Sequence, residues 1–350
     1  MPASLLDLSV YTSLEISRAL AQDARYKFQP ILTKFFSKFY QSPTDSIAYE
    51  KIYSNRGTAP LVISNAVGVA TKRSKSEIIA YPTAYVKLRD TIETSVVMSR
   101  TAGEALLGSL TPQERMDINL RELGLEHVLR IRRLQEAMAA EILLTGKLVL
   151  EGDYFPKTTL DFQRDPAKTV VLTGTKLWNT ATATPMADLE SWISSSKRVI
   201  KAVVFSQVAW DNFKKDAKFL QYSNKNYAGE VSAFAKSIIQ FDDTAENDIV
   251  FVGMLPNSGV NLFVYKGSYT KLDGTDSDYI PQGSLVGIPS PDLGVEAYGA
   301  IKDFEASYAA VPHFHKVWSD KDVGAPIMLT QSAPVLLHLD ANGTFSAKVV

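Results

Sequence analysis

The stretch at residues 111–146 reads TPQERMDINLRELGLEHVLRIRRLQEAMAAEILLTG and carries the signals of one long helix at both of its ends. Thr111 is a good N-cap, Pro112 suits the first helical position, and Glu114 completes a capping box. Gly146 is the residue type that helices favour for a left-handed C-terminal cap. The sequence therefore predicts a helix over 112–145, which we call the spine helix.

Apolar residues recur along the spine helix at steps of mostly three to five residues, which is typical of one buried face: Met116, Leu120, Leu123, Val128, Ile131, Leu134, Met138 and Ile142. We expect this face, Leu134 included, to lie in the core, and Arg132 and Glu136 to belong to the charged face. At about 1.5 Å per residue the helix is roughly 50 Å long, with Gly124 as a possible bend. A long amphipathic helix alone indicates only a large core, so its flanks decide the rest.

The composition is that of an ordinary globular protein. The chain has 350 residues, 45% hydrophobic and 21% charged, which suits one large or two moderate domains. A formal net charge of -1 argues against a dedicated nucleic-acid binder, so any contact with DNA is expected to be non-specific. There is no cysteine, which excludes disulfides and thiolate metal sites and fits a reducing cytoplasm. We recognise no signal peptide or membrane span and expect a protein that is cytosolic when made.

The segment before residue 46 is rich in aromatic residues. Thr12 and Glu15 predict a short helix that runs to about Asp23, and a second helical piece is expected from Pro30. Four aromatic side chains follow Pro30 and are too many for a free arm in water: Phe35, Phe36, Phe39 and Tyr40. This segment must therefore dock, either on the chain's own body or on a neighbour.

From Ile47 to Ile92 the pattern changes to short β runs separated by glycine and proline. The simplest arrangement is a long two-stranded ribbon with a basic region around its tip: Lys72, Arg73 and Lys75. Such a ribbon is marginal alone in water, and arms of about fifteen residues would span some 50 Å. The ribbon needs a surface, for which another subunit is the natural candidate. The basic residues either pair with acidic residues of that neighbour or belong to a solvated tip.

Beyond the spine helix come strands and then a compact α/β alternation, with a boundary expected near Ala183. Pro185 opens a short helix. Further strands are expected at 199–205, 249–254, 260–266 and 285–288, and helices at 210–220 and 230–239. Met328–His338 is expected to be one core strand, which Asn342-Gly343 then turns into a final strand at 345–350.

A search for catalytic or metal-binding sequence patterns finds no complete match. His313 and His315 have strand spacing but no third ligand, so a surface or packing role is expected. The acids from Asp273 to Asp278 fit a hairpin turn better than a cation loop, because the glycine is misplaced for an EF-hand. Ser194 and Lys197 have Ser-x-x-Lys spacing without the partner motifs. We therefore predict no catalytic, cofactor or metal site, although paired carboxylates that are distant along the chain stay open.

The assembled features resemble the major capsid protein of lambda-like tailed phages, the major capsid protein E family. The resemblance covers nearly the whole chain in order. It rests on Tyr11-Thr12, Lys27-Phe28-Gln29-Pro30, Phe35-Phe36, Pro82-Thr83-Ala84-Tyr85-Val86-Lys87, Gly174-Thr175-Lys176-Leu177-Trp178, Pro281-Gln282-Gly283-Ser284-Leu285-Val286-Gly287 and Gln331-Ser332-Ala333-Pro334-Val335-Leu336-Leu337. The last of these motifs is the most specific, whereas 188–248 agrees only in its order of strands and helices.

The resemblance implies an α+β, HK97-like phage capsid fold. Its parts would be an N-terminal arm (1–45), an extended β-ribbon loop (46–90), a peripheral domain with the spine helix (91–183), an axial α/β domain (184–311) and return strands of the peripheral domain (312–350). Function would be self-assembly into hexamers and pentamers of an icosahedral virion shell around double-stranded DNA, built in the host cytoplasm. Implied partners are a separate scaffolding protein, a portal and a decoration protein, with no cofactor and no membrane.

Our candidate intersubunit contacts are Lys72, Arg73, Lys75, Phe35, Phe36 and Arg132. A non-viral encapsulating shell protein of the same fold and a soluble α/β enzyme stay open as alternatives. A shell protein forms particles, whereas an enzyme would be monodisperse and show turnover. The viral and non-viral shells differ in cargo, which is DNA in one and enzymes in the other.

Overall fold

The computed structural model of the chain describes residues 31–44, 46–53, 61, 64, 75–99, 110–152, 155–220, 249–255, 258–271, 273–289, 293–319 and 325–350. The helices expected at 12–23 and 230–239 lie outside these residues, as do Lys72 and Arg73. Lys75 begins a strand, and only its backbone is described. No helix in the described part of the chain is both long and apolar enough to cross a membrane.

The described elements are mostly strands, and the described α-helices lie between residues 94 and 213. The helices are α1 (Thr94–Met98), α2 (Pro112–Thr145), α3 (Pro185–Ser195) and α4 (Gln207–Phe213). The strands are β1 (Lys38–Gln41), β2 (Ser46–Tyr53), β3 (Lys75–Pro82), β4 (Val86–Thr91), β5 (Lys147–Gly152), β6 (Phe155–Asp161), β7 (Thr169–Val171), β8 (Ala202–Phe205), β9 (Ile249–Met254), β10 (Asn261–Tyr265), β11 (Ser268–Thr270), β12 (Asp276–Asp278), β13 (Ser284–Ile288), β14 (Gly294–Tyr298), β15 (Phe314–Ser319), β16 (Pro326–Ser332), β17 (Pro334–His338) and β18 (Phe345–Lys348).

Helix α2 is the predicted spine helix, and its bounds are those expected. The Glu114 backbone N–H donates to the Thr111 hydroxyl (3.2 Å), and the Thr111 backbone N–H donates to the Glu114 carboxylate (2.6 Å), so the capping box is formed. At the other end Gly146 has φ 73°. A Cβ atom there would lie 2.5 Å from Arg164 Cβ, so both conformation and space require glycine.

The buried face of the spine helix differs from the expected one in two respects. Met116, Leu120, Ile131, Met138 and Ile142 are buried, and Leu123 and Val128 are half-buried. Leu134 is 38% exposed, so its predicted place in the core is wrong. Glu136, expected on the charged face, is fully buried instead. The helix turns by 100° per residue, which points residues 135 and 136 inward and leaves residue 134 at the margin of the buried face.

A six-stranded sheet, in the order β7-β18-β13-β8-β10-β9, forms the middle layer of the molecule. Successive residues of its central strands enter opposite cores. Val204 and Val286 belong to a core with the C-terminal half of the spine helix. Val203 and Leu285 belong to a core with α3 and α4. The sheet is therefore covered on both faces, which explains why its strands read as continuous apolar runs.

Strand pairing crosses the boundary that the sequence suggested near Ala183. Strand β7 precedes that residue and β8 follows it, yet both belong to the six-stranded sheet through β18 and β13. The guanidinium of Arg164 adds a link from the loop before β7, because it donates to Leu143 O at 2.7 Å and to Ser346 Oγ at 3.0 Å. One of the last carbonyl groups of the spine helix thereby gains a donor.

Two three-stranded sheets, β1-β14-β17 and β15-β16-β4, flank the spine helix. The single strand predicted over Met328–His338 is wrong, because the chain leaves one sheet at Ser332 and enters the other at Pro334. Proline lacks an N–H and is tolerated at the first residue of a strand, which suits this change of sheet. The hairpin predicted at Asn342-Gly343 is also wrong. A 3-10 helix at Ala341–Gly343 sends β18 into the six-stranded sheet instead.

Three two-stranded hairpins complete the described fold: β2–β3, β5–β6 and β11–β12. The first is the root of the predicted ribbon, with the register Ser46↔Pro82 through Tyr53↔Lys75. In the last, Thr270 pairs with Asp276, so the hairpin turn predicted for the acids from Asp273 to Asp278 is confirmed.

Candidate assembly surfaces

The chain segment that enters the described structure at Ile31 is held by a buried carboxylate on the spine helix. Glu136 accepts hydrogen bonds from the backbone N–H groups of Ile31 (2.9 Å), Leu32 (2.8 Å) and Thr33 (3.0 Å). The Thr33 hydroxyl donates to the same carboxylate at 2.9 Å, and the Tyr265 hydroxyl donates at 3.0 Å. One side chain therefore joins the entering segment, the spine helix and strand β10.

The electrostatics of Glu136 set burial against these donors. Burial raises the pKa of Glu136, and hydrogen bonds from Leu32, Thr33 and Tyr265 lower it. Burial also lowers the pKa of neighbouring Lys34, and the negative charge of Glu136 partly offsets that effect. Removal of the acceptor would leave several backbone donors buried without a partner, which is costly. We call residues 31–33 together with Glu136 the entry clamp.

Phe35 and Phe36 lie in the chain's own core. Both rings are buried, and Phe36 meets the ring of His338 edge-on at 6.1 Å between ring centroids. The sequence left open whether this segment docks on the chain's own body or on a neighbour. These two rings dock on the chain's own body, so they are not on a surface that a neighbour can reach. The helical piece expected from Pro30 is a 3-10 helix at Thr33–Phe35, followed by strand β1.

Strand β1 instead offers an exposed face. Its four residues are all exposed, among them Phe39 and Tyr40, and it forms the edge of its sheet by parallel pairing with β14. Phe39 leans on Tyr298 at 5.6 Å between ring centroids. The aromatic residues that sequence reasoning treated as one group therefore divide into a buried pair and an exposed pair.

A chain of polar side chains joins the spine helix to the β15-β16-β4 sheet. His127 Nε2 lies 2.7 Å from Asp90 Oδ2, and His127 Nδ1 lies 2.8 Å from Thr330 Oγ1. Thr330 Oγ1 also lies 2.9 Å from His315 Nδ1. Because Asp90 accepts, Nε2 of a neutral His127 carries the proton, Thr330 donates to His127, and His315 donates to Thr330.

His313 and His315, which were considered as metal ligands from the sequence, have packing roles in this region. His315 is buried among strand residues, and burial lowers its pKa to about 3. Burial also lowers the pKa of His313 to about 4, assisted by the charge of Arg132. Among the described residues no group of three or more metal-ligating side chains is close enough to hold an ion.

Arg132 lies on the exposed side of the spine helix, next to a buried polar group. Gln135 Nε2 donates to Tyr298 OH at 2.7 Å and to Glu296 Oε1 at 3.0 Å, and the Tyr298 hydroxyl donates to Glu296. Burial raises the pKa of Tyr298, and the positive charge of Arg132 opposes that effect. Arg132 itself has no ion pair within the described ranges, so its charge is available to a partner.

The β2–β3 hairpin extends from this body. Its described arms of eight residues span roughly 26 Å at about 3.3 Å per residue. Among its described side chains, Ile47 and Tyr81 lie in the core, and Ile79 packs against it. Lys75 lies at the far end of the described part, and the predicted basic tip continues beyond it.

The chain is similar to known proteins over nearly its full length. A family model described as phage major capsid protein E matches residues 15–349. The major capsid protein of Enterobacteria phage phi80 is 23% identical over 356 residues, and that of Escherichia phage N15 is 22% identical over 352 residues. Each alignment covers 98% of this chain and 100% of the relative.

The solved structures agree with this. A prophage protein of E. coli CFT073, solved as a proposed capsid protein, superposes with a TM-score of 0.74 at 21% identity. That superposition covers 97% of this chain and 99% of the other. The α+β, HK97-like capsid fold expected from the sequence is therefore confirmed.

Proposed function

Because this chain belongs to the phage major capsid protein E family, we propose that its copies assemble as hexamers and pentamers into an icosahedral shell around double-stranded DNA. The chain is a major capsid protein of a tailed phage, and it forms the shell of the virion by association with itself. Its role is structural and not enzymatic. A closed shell multiplies individually weak contacts, because release of one subunit breaks several of them at once.

The observation that carries the finer proposal is the β2–β3 hairpin. A two-stranded ribbon is marginal alone in water, yet this one keeps a continuous register over all eight described pairs. The described side chains that reach the chain's own core are Ile47, Ile79 and Tyr81, all in the half of the hairpin next to the body. The surface of a neighbouring copy would support the outer half of the hairpin, and it would widen each contact between subunits.

The basic tip offers a specific form of that contact. We expect Lys72, Arg73 and Lys75 to pair with acidic residues of a neighbour, so reversal of all three charges to glutamate should lower particle yield while the subunit stays folded. A matched control reverses three lysines that follow α4, namely Lys214, Lys215 and Lys218. Particle yield is counted by negative-stain microscopy and folding is followed by circular dichroism. Normal particles from the tip variant would overturn this contact.

Arg132 is the second candidate contact, because its charge is exposed and has no ion pair in the described part of the chain. Arg132→Glu should leave the subunit folded and impair assembly, whereas Arg132→Lys should assemble. Equal particle yields from the two variants would exclude a role for this charge in assembly.

The remaining partners follow from a shell that must be built, filled and closed. We propose a separate scaffolding protein, a portal, a decoration protein and non-specific contact with packaged DNA, consistent with the net charge of -1. Size-exclusion chromatography followed by electron microscopy of the purified protein, alone and with the scaffolding protein, tests the whole proposal. Closed particles are expected. A monodisperse small species under both conditions would refute it.

A further inference from the structure

The loop between β14 and β15 exposes two large aromatic side chains. Phe304 is 82% exposed and Tyr308 is 60% exposed. Exposed single apolar residues are common on protein surfaces, but two large aromatic side chains exposed within five residues of one short loop make that loop a candidate interaction site. We call residues 301–310 the aromatic loop.

The aromatic loop is held in one conformation by its own backbone. Ile301 N–H donates to Ala309 O (3.1 Å), and Ser307 N–H donates to Phe304 O (2.9 Å). Ser307 and Tyr308 have φ angles of 51° and 55°, which side-chain-bearing residues rarely adopt. The fold thus maintains a disfavoured backbone that presents the Tyr308 ring to the outside, and such outliers are concentrated at functional positions.

Ion pairs and hydrogen bonds anchor the same loop to strands β15 and β16. Gln331 Nε2 donates to Asp303 Oδ2 at 2.7 Å. Lys316 Nζ lies 2.9 Å from Glu305 Oε1 and 3.5 Å from Asp303 Oδ2. The rings therefore sit on a fixed base with a polar border, which is how the apolar centre and polar rim of a protein interface are arranged.

The base of the aromatic loop is joined to the root of the β2–β3 hairpin. Ala300 N–H donates to Thr44 O at 3.1 Å, just before β2 begins. Lys302 N–H donates to the Tyr85 hydroxyl at 2.9 Å, just after β3 ends, and that hydroxyl donates to Gln331 at 2.7 Å. The loop and the hairpin therefore leave the body from one shared root.

We propose that Phe304 and Tyr308 pack against a second copy of this chain, at the root of the contact that the hairpin makes. The inference rests on the proposed role of the hairpin, because continuity with that contact is what names the occupant. The charges near the rings also favour protein over nucleic acid. Lys302 and Lys316 are balanced by Asp303 and Glu305, whereas a surface for DNA would carry a basic excess.

The absence of cysteine from the chain allows a direct test. In Phe304→Cys the new thiol should react with a maleimide in dissociated subunits and at least tenfold more slowly in assembled particles. Lys75→Cys reports on the hairpin in the same way. Equal rates at residue 304 in subunits and particles would overturn the inference, even where residue 75 is protected. Failure of the wild-type protein to form particles would instead count against the proposed function.

Loss of the rings provides the second test. The double variant Phe304→Ser, Tyr308→Ser should lower particle yield at least tenfold with an unchanged melting temperature. Met98→Ser is the matched control, because Met98 is also 82% exposed and lies on another segment. Wild-type yield from the double variant, an equal loss from the control, or unfolding of the double-variant subunit would each overturn the inference. Unfolding would do so because it would make the rings part of the chain's own stability.

Discussion

Replacement of Glu136 by glutamine tests the entry clamp most sharply. One carboxylate oxygen, which accepts from Ile31, Leu32 and Tyr265, is kept as the amide oxygen. The other becomes an NH₂ group, which cannot accept from the Thr33 backbone N–H, although the Thr33 hydroxyl can turn to accept from it. One backbone donor is then left buried without an acceptor.

The size of the effect follows from that single lost acceptor. An unsatisfied buried N–H costs about 1–3 kcal/mol. Loss of the negative charge weakens the remaining hydrogen bonds, but it also removes the cost of burying that charge, so the two changes oppose each other. We expect the free energy of unfolding to fall by about 2 kcal/mol.

The assay is urea unfolding of the subunit, with Glu126→Gln as the matched control on the same helix. Glu126 is exposed and, among the described residues, forms an ion pair with Arg130 alone, at 2.5 Å and four residues on, which is worth about 0.5 kcal/mol or less. Hydrogen exchange adds a local measurement, because the amides of Ile31–Thr33 should exchange faster in the Glu136 variant alone. Equal unfolding midpoints and unchanged exchange in the two variants would show that this carboxylate does not hold the segment.

Two further predictions concern the same helix and the sheet beside it. The pKa of His315 is about 3 in the folded chain against 6.5 in a model peptide, so the unfolded chain binds more protons below pH 6.5. The free energy of unfolding therefore falls as pH falls, and His315 accounts for about 2 kcal/mol of that fall at pH 5. When urea unfolding is measured at pH 7 and pH 5, the His315→Gln variant should lose less stability than the wild type by that amount. Ile131→Asp buries an unpaired charge, which should lower the free energy of unfolding by about 3–5 kcal/mol and make the subunit insoluble. Leu134→Asp, at an exposed position, should stay soluble with a normal circular dichroism spectrum. Equal solubility of the two aspartate variants would contradict the orientation of the helix.

The elements that the sequence predicted well are those whose signals are local. The bounds of the spine helix followed from Thr111, Pro112, Glu114 and Gly146, because caps act within one turn and need no distant partner. The strands of the six-stranded sheet followed from continuous apolar runs, which indicate burial on both faces. The hairpin at the acids from Asp273 to Asp278 followed from turn chemistry.

The features that the sequence missed depend on partners far away in the chain. Glu136 looks like a surface acid until residues more than 100 positions earlier supply its donors. The hydrogen-bond partners of His127 are Asp90 in β4 and Thr330 in β16, which the fold brings together from distant parts of the chain. The change of sheet near Ala333, between β16 and β17, could not be seen in the sequence because the segments on both sides of it are buried. A period-two pattern cannot tell which of two sheets a strand joins.

The same consideration limits the candidate site. The exposure of Arg132 was predicted from its place on the charged face, and the structure has it exposed. Phe35 and Phe36 could not be assigned to a neighbour or to the chain's own core, since aromatic residues dominate both kinds of surface. The aromatic loop gave no signal, because Phe304 and Tyr308 are isolated aromatic residues outside any strand or helix pattern, and only the fold places them beside the hairpin root.

The position of β18 has a consequence for the timing of synthesis. This strand lies between β7 and β13, so the six-stranded sheet has a gap until residue 348 has left the ribosome. At about 5–20 residues per second, synthesis of residues 1–348 takes roughly 20–70 s, during which the core that contains Phe345 and Ala347 is incomplete. A nascent chain therefore cannot complete the subunit body before the ribosome has passed residue 348, and the sheet is whole only in molecules that have reached that point.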